Sequence, residues 1–228
     1  MPRFSTTVVQ ELLDEMNRCV VDYPAGVERT GDRISALIDG TSCFPGGTGI
    51  WRGDCYGGPL PLYFPNRPVM FIGHNFDSIE AHARAVRVKG EANSTFWGNL
   101  KDFLANAGPL DPADCFFTNA LMGLKPDKPD GTMPDCSGYR TQCQEFLIRQ
   151  IDIVAPRAII TLGGEAAAQL RRAKKLCDIR AEIAFAAVMH PSTRPKDQRP
   201  SRQAWLVAQG EVIRSVLAMS VTSEYQSE

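Results

Sequence analysis

Four short apolar runs recur from residue 69 onward, and segments with helical spacing separate them. The runs are VMFIG (69–73), CFFTN (115–119), AIITLG (158–163) and FAAVMH (185–190). The segments 95–108, 138–156 and 164–176 carry apolar residues three and four positions apart, which is the spacing of an amphipathic helix. Near-continuous apolar strands that alternate with helices are typical of a parallel sheet covered on both faces. The pattern predicts an α/β fold, a three-layer α/β/α sandwich with a central, mainly parallel four-stranded sheet.

The segments outside this alternation have different characters. Residues 6–21 have the apolar spacing of a helix, and residues 201–219 are predicted to form a final helix. Residues 40–68 are rich in glycine and proline, which indicates a long irregular loop. A chain of 228 residues suits one domain. We therefore predict a single domain with three parts: an N-terminal helix and loop (1–68), an α/β core (69–218) and a flexible tail (219–228).

Composition and charge limit the possible partners and compartments. The net charge is −1, so a nucleic-acid partner would have to be held by a local basic patch. No apolar run approaches the ~18 residues that span a bilayer, and the N-terminus lacks the apolar core of a signal peptide. The seven cysteines include no C-x-x-C pair, so neither a disulfide framework nor a zinc ribbon is predicted. We expect a cytoplasmic monomer without a membrane partner.

Polar residues follow the predicted strands. In sheets of this kind, ligands bind beyond the carboxyl ends of the strands, where the connecting loops converge. The residues at these ends are His74, Asn75, Phe76 and Asp77, then Asn119, then Gly163, Gly164 and Glu165, and finally His190, Pro191 and Ser192. Two histidines, two asparagines and an aspartate are more than packing requires. We therefore predict a functional site at this edge of the sheet.

Several of these residues also have a structural interpretation. The Gly163–Gly164 pair favours close packing of helix and strand over phosphate binding, and Glu165 suits the first turn of a helix, where the helix dipole favours a carboxylate. Asp77 either caps the following helix or takes part in chemistry, as a general base for water or as an acceptor for an exocyclic amine. Both alternatives stay open. His74 and His82 are eight residues apart, which matches no common zinc spacing, so no metal is predicted.

The segment after His190 is strongly basic. It contains one acidic residue, Asp197, and four basic ones, namely Arg194, Lys196, Arg199 and Arg202. The segment is either a solvated basic loop or a phosphate clamp beside a histidine.

Two further residues suit the recognition of a planar ring. Phe96, next to Trp97 at the start of a predicted helix, would stack on a base if it faces the cleft. Asn119 ends a strand, where an amide either caps a turn or offers one donor and one acceptor. If it is held rigidly, that pair matches the O4 and N3–H edge of uracil, whereas cytosine presents the opposite pattern.

Together these blocks resemble the uracil-DNA glycosylase superfamily, from about Val69 to His190 and its loop. FIGHN is similar to the motif that positions the attacking water, and STFWGNLKDFLANAG resembles the block whose phenylalanine stacks on the flipped base. CFFTNALMGLKP resembles the strand that ends in the base-selecting asparagine. IDIVAPRAIITLGGEAAAQL followed by MHPSTRP is similar to the family's P-x-x-I-x-x-L-G strand and its final His-Pro-Ser motif.

The resemblance implies roles for individual residues. Asn75 would orient water toward the anomeric carbon, with Asp77 as a further catalytic candidate, and His190 would stabilise negative charge on the leaving base. The residues expected to bind the base are Gly73, His74, Phe76, Phe96 and Asn119. Those expected to bind DNA are Ser192 at a phosphate, Thr193 and Arg194 at the minor groove, and Lys196 and Arg199 in the basic loop.

Two positions depart from the family pattern. Iron–sulfur branches carry a cysteine in an N-x-x-x-C-R-P block, whereas this chain has Gly123 there. No cluster or other cofactor is therefore predicted, although Cys143 stands near a fourth-ligand position. Phe76 and Asp77 replace the proline and the glycine or tyrosine that commonly follow the asparagine. That change falls on the wall that faces C5 of the base.

The leading hypothesis is a DNA glycosylase-like hydrolase that cleaves the N-glycosidic bond of uracil or another altered base in DNA. It implies base flipping and a role in base-excision DNA repair, with no metal and no covalent intermediate. One alternative is a member of the superfamily that binds nucleic acid or a nucleobase without hydrolysing it. Another is a hydrolase of free nucleosides or nucleotides.

Overall fold

The computed structural model describes most of the predicted core. It covers residues 21–28, 67–75, 78–88, 95–108, 110, 115–126, 133–176, 183–192 and 201–224, and six residues (8, 11, 12, 14, 15 and 18) of the N-terminal segment. The predicted 40–68 loop lies outside these residues, apart from Arg67 and Pro68.

The described core is an α/β sandwich, as predicted. Its sheet has the order β2-β1-β3-β4, and every strand pair is parallel. The strands are β1 (Val69–Gly73), β2 (Cys115–Asn119), β3 (Ala158–Leu162) and β4 (Ala184–Val188). The helices are α1 (Ile79–Val88), α2 (Thr95–Ala107), α3 (Ser137–Val154), α4 (Gly164–Leu176) and α5 (Arg202–Glu224).

Alternation along the strands assigns each face of the sheet to different helices. Met70, Ile72 and Phe116 are buried in a cluster with apolar residues of α3. Phe71 and Phe117 are buried in a second cluster, with apolar residues of α2 and α5. Because successive side chains of a strand point to opposite faces, Asn119 lies on the same face as Phe117, toward α2 and α5. The face covered by α2 and α5 is therefore the one on which a site can form beside Asn119.

The first and last helices can be compared with the ranges predicted from the sequence. The six described residues of the N-terminal segment are helical, as predicted, and Leu12 is fully buried against the α3 cluster. The last helix continues to Glu224, beyond its predicted end at residue 219. Ser220 is buried, and its hydroxyl donates to the carbonyl of Leu217, so this polar group is satisfied within the helix. Although α5 has 23 residues, no helix in the described ranges is long and apolar enough to cross a membrane.

Close packing of α2 and α5 depends on Gly210. A Cβ atom at Gly210 would lie 2.7 Å from the backbone carbon of Asn106 and 2.9 Å from the nitrogen of Ala107. A Cβ at Gly98 in α2 would meet nothing within 4 Å.

These two glycines give a matched stability prediction. Gly210→Ala is expected to destabilise the protein by about 1–3 kcal/mol, because the helices must separate. Gly98→Ala is expected to stabilise it by about 0.5–1 kcal/mol, because alanine favours the helix. Urea unfolding of both variants measures the difference. A Gly210→Ala variant as stable as the wild type would contradict the close helix crossing.

Candidate active site

Gly73 and Asn119 lie side by side at the carboxyl ends of β1 and β2. They are register partners, and a Cβ on residue 73 would clash with the side-chain oxygen of Asn119. The backbone N–H of Ala120 donates to the carbonyl of Gly73 at 2.9 Å, and that of Leu121 donates to the carbonyl of His74, also at 2.9 Å. The two loops therefore close on each other, and the Asn119 amide lies against a residue that has no side chain.

A series of ring contacts connects this face of the sheet to His190. The Phe117 ring centroid is 5.4 Å from that of Trp97, which in turn is 5.0 Å from that of Phe96. The Phe96 ring lies 5.3 Å from the His190 imidazole, with an angle of 50° between the planes. Phe96 is half-buried, so one aromatic of α2 is in the core while its neighbour borders the histidine.

Gly163 allows the turn after β3 to pass beside His190. Its φ is +92°, a conformation that glycine adopts readily, and a Cβ there would lie 3.0 Å from the Cβ of His190. Its N–H donates to the carbonyl of Val188 at 2.8 Å. Gly163 thus serves close packing, and its packed neighbour is His190, whereas a Cβ atom at Gly164 would meet nothing within 4 Å.

The backbone beside His190 indicates which ring nitrogen carries the proton. The N–H of Ser192 donates to His190 Nδ1 at 3.2 Å. A neutral imidazole has one donor and one acceptor nitrogen, so this contact makes Nδ1 the acceptor. The neutral ring then carries its proton on Nε2, where it can donate to an electronegative atom of a substrate.

The His-Pro-Ser turn is held by a residue that the sequence analysis missed. Asn99 of α2 is buried, and its Nδ2 donates to the carbonyl of Pro191 at 2.6 Å. Its Oδ1 accepts from Nη2 of Arg202 at 2.9 Å, and Arg202 also pairs with Asp102 at 2.9 Å. The clue in the sequence was spacing, because Asn99 lies one helical turn after Phe96. The sequence analysis counted Arg202 with the basic loop, whereas in the structure its guanidinium contacts Asn99 and Asp102 of α2.

Comparison with known families agrees with this geometry. A family model of the uracil DNA glycosylase superfamily matches residues 60–209, about two thirds of the chain. The chain belongs to the uracil-DNA glycosylase superfamily. No curated protein matches the chain at a significant level. The matched range includes all four strands and every residue of the candidate site named above.

Part of the predicted superfamily site lies outside the described residues. These positions are Phe76, Asp77, Thr193, Arg194, Lys196 and Arg199. Asn75 is half-buried directly after β1, and Ser192 is exposed after the turn. The hydroxyl of Ser78 accepts from the N–H of Ala81 at 3.2 Å and so caps α1. Ser78 therefore serves as an N-cap of α1. The role of Asp77 stays open.

The environment of Gly123 does not fit the cysteine of an iron–sulfur branch. Gly123 has a φ of +84°, and a Cβ there would lie 2.9 Å from both Val27 Cγ1 and the carbonyl oxygen of Glu28. Cys143 is buried, and its sulfur accepts from the N–H of Met122 at 3.5 Å. In the part of the chain that the structure describes, no cluster of three or more histidine, cysteine or acidic side chains could hold a metal.

The environment of His74 perturbs its pKa. Burial lowers its pKa below the usual 6.5, and the positive charges of Arg140 and Lys125 add to this effect against the opposing charge of Glu165. Its Nε2 is buried and has no hydrogen-bond partner among the described atoms. Burial therefore favours the neutral form of His74.

The lowered pKa predicts a pH dependence of stability. Below pH 6.5 the unfolded chain binds a proton at His74 more readily than the folded chain does, so the free energy of unfolding falls as the pH falls. Replacement by glutamine is expected to remove this contribution. Urea unfolding at pH 7.5 and at pH 5.5 compares the two proteins. An equal loss of stability in His74→Gln would show that other groups cause the dependence.

Proposed function

We propose that the protein is a DNA glycosylase that hydrolyses the N-glycosidic bond of uracil or another altered base in DNA. Membership of the superfamily supports this class of reaction. The observation that carries the proposal is the His190 imidazole, which accepts from Ser192 at Nδ1 and contacts Phe96 on the Asn119 side of the sheet.

The chemistry of the reaction matches these groups. Cleavage separates an oxocarbenium-like sugar from an anionic base, so the site must stabilise negative charge on the base. The Nε2–H of a neutral His190 can donate to the developing anion without adding a charge that would have to be desolvated. Phe96 offers a face for stacking, and Asn119 offers an amide that selects the base by its donor and acceptor groups.

Other residues are assigned to the positioning of water and to the binding of DNA. Asn75, directly after β1, would orient the attacking water, with Asp77 as a candidate base or as an acceptor from the substrate. A base inside a duplex must leave the stack to reach such a pocket. Ser192 would bind a phosphate, Thr193 and Arg194 would lie at the minor groove, and Lys196 and Arg199 would bind nearby phosphates.

The direct test uses oligonucleotides that each carry one uracil, hypoxanthine or xanthine, in single-stranded and duplex form. After incubation, alkali cleaves the strand at any abasic site. We expect scission at the altered base in at least one oligonucleotide and none in the unmodified control. No scission in any of them would overturn the proposal. Salt-dependent DNA binding without a product would then favour a member that binds without hydrolysis, and a nucleoside panel would detect a hydrolase of free nucleosides.

A further inference from the structure

We propose that Asn99 and Arg202 are positioning residues that act on His190 through a continuous chain of hydrogen bonds. Arg202 Nη2 donates to Asn99 Oδ1 at 2.9 Å, and Asn99 Nδ2 donates to the carbonyl of Pro191 at 2.6 Å. The N–H of Ser192 donates to His190 Nδ1 at 3.2 Å. The carbonyl of Pro191 and the N–H of Ser192 belong to one peptide group. The chain therefore runs from a guanidinium through two amides to the imidazole.

The direction of donation is the same at every step. A hydrogen bond to the oxygen of an amide polarises the group and makes its N–H a stronger donor. Arg202 polarises the Asn99 amide in this way, and Asn99 polarises the Pro191–Ser192 peptide. The effect at the end of the chain is a stronger donor to Nδ1, which keeps the proton of the neutral ring on Nε2. This assignment concerns His190 alone and does not require that DNA be the substrate.

The different burial of Asn99 and Arg202 decides which of them has the larger effect on the His190 tautomer. Asn99 is 8% exposed and Pro191 is buried, so their hydrogen bond is largely shielded from water. The side chain of Arg202 is 53% exposed, and the same Nη2 that donates to Asn99 also donates to Asp102 at 2.9 Å. Solvent and the aspartate both weaken the field of an exposed cation. Loss of Asn99 should therefore have the larger effect.

The proposed role and a purely structural role of Asn99 and Arg202 predict different protonation of the His190 ring. Only the proposed role predicts that the proton moves between Nε2 and Nδ1 when these residues are replaced. The chain contains three histidines, so a protein labelled with ¹⁵N-histidine gives three imidazole patterns, and His190→Gln assigns one of them. The ¹⁵N shifts of Nδ1 and Nε2 report which nitrogen carries the proton. The spectrum is recorded without substrate, at a pH about two units above the ordinary histidine pKa of ~6.5.

The wild type is expected to show His190 as the Nε2–H tautomer alone. Asn99→Ala is expected to give a mixture with the Nδ1–H tautomer, and Arg202→Met a smaller shift in the same direction. Arg202→Lys keeps the charge and a donor and should remain close to the wild type. Asn106→Ala is the matched control, because Asn106 lies on the same helix and its amide donates to the carbonyl of Asp102 at 2.7 Å, within α2.

Kinetics then tests the consequence for the proposed reaction. With a substrate that the wild type cleaves, Asn99→Ala should lower kcat by about 10-fold to 100-fold at nearly constant KM. This range is typical when a hydrogen-bond partner that fixes the orientation of a histidine ring is removed. An unchanged Nε2–H tautomer in both Asn99→Ala and Arg202→Met would overturn the inference. The Arg202→Met spectrum decides the matter if Asn99→Ala fails to fold. Because the spectrum needs no substrate, its outcome is separate from that of the proposed function.

Discussion

Removal of the imidazole in His190→Ala is expected to lower kcat for base excision by about 10²–10³-fold, the cost of losing one donor to a developing oxyanion. The expectation follows from the neutral ring, whose Nδ1 accepts from Ser192 and whose Nε2–H would donate to the leaving base. Binding of DNA should change little, because the phosphate contacts are assigned to other residues. Single-turnover rates and a separate binding titration measure the two effects.

The control for this prediction is His82→Ala, which removes another of the three histidines, in α1, and should leave the rate unchanged. Unfolding curves of both variants are needed, because the His190 ring contacts Phe96. Asn75→Ala should also slow the reaction strongly if Asn75 orients the water. Wild-type rates in both His190→Ala and Asn75→Ala would remove the site assignment even if the protein is a glycosylase.

The strands could be predicted closely because three of the four, all except the edge strand β4, are buried along almost their whole length. Residues 69–73, 115–119 and 158–162 are buried along almost their whole length, so their sequences are apolar without a break and end at polar or glycine residues. The end of α5 was harder to predict, because Ser220 is polar in sequence, whereas in the structure it is buried with its hydroxyl bonded to the carbonyl of Leu217.

Sequence alone could predict those candidate site residues that directly follow a strand. Asn119 and His190 were predicted as site residues because the carboxyl ends of parallel strands converge. Asn99 was missed because its contacts with Pro191 and Arg202 join residues 92 and 103 positions apart. Arg202 was misassigned for a related reason. Its charge resembled that of the loop before it, and its partner Asp102 lies 100 positions away in α2.

Gly73→Ala is expected to reduce base excision by about 100-fold, comparable to the effect of displacing a reacting group by about 1 Å. The added Cβ would overlap with the side-chain oxygen of its register partner Asn119, so the amide must move away from its position at the end of β2. Because Asn119 is the candidate group for selecting the base, the variant should also discriminate less between uracil and cytosine. Excision rates with both bases measure the two effects.

Gly138→Ala is the matched control, because a Cβ at Gly138 would meet nothing within 4 Å and the residue lies in the first turn of α3. The control should keep the wild-type rate, whereas Gly73→Ala should also lose about 1–3 kcal/mol of stability through overpacking. A rate loss that disappears when folded protein is assayed well below its unfolding temperature would assign the effect to stability alone. A persistent loss with reduced discrimination would support selection of the base at the ends of β1 and β2, where the amide of Asn119 lies against Gly73.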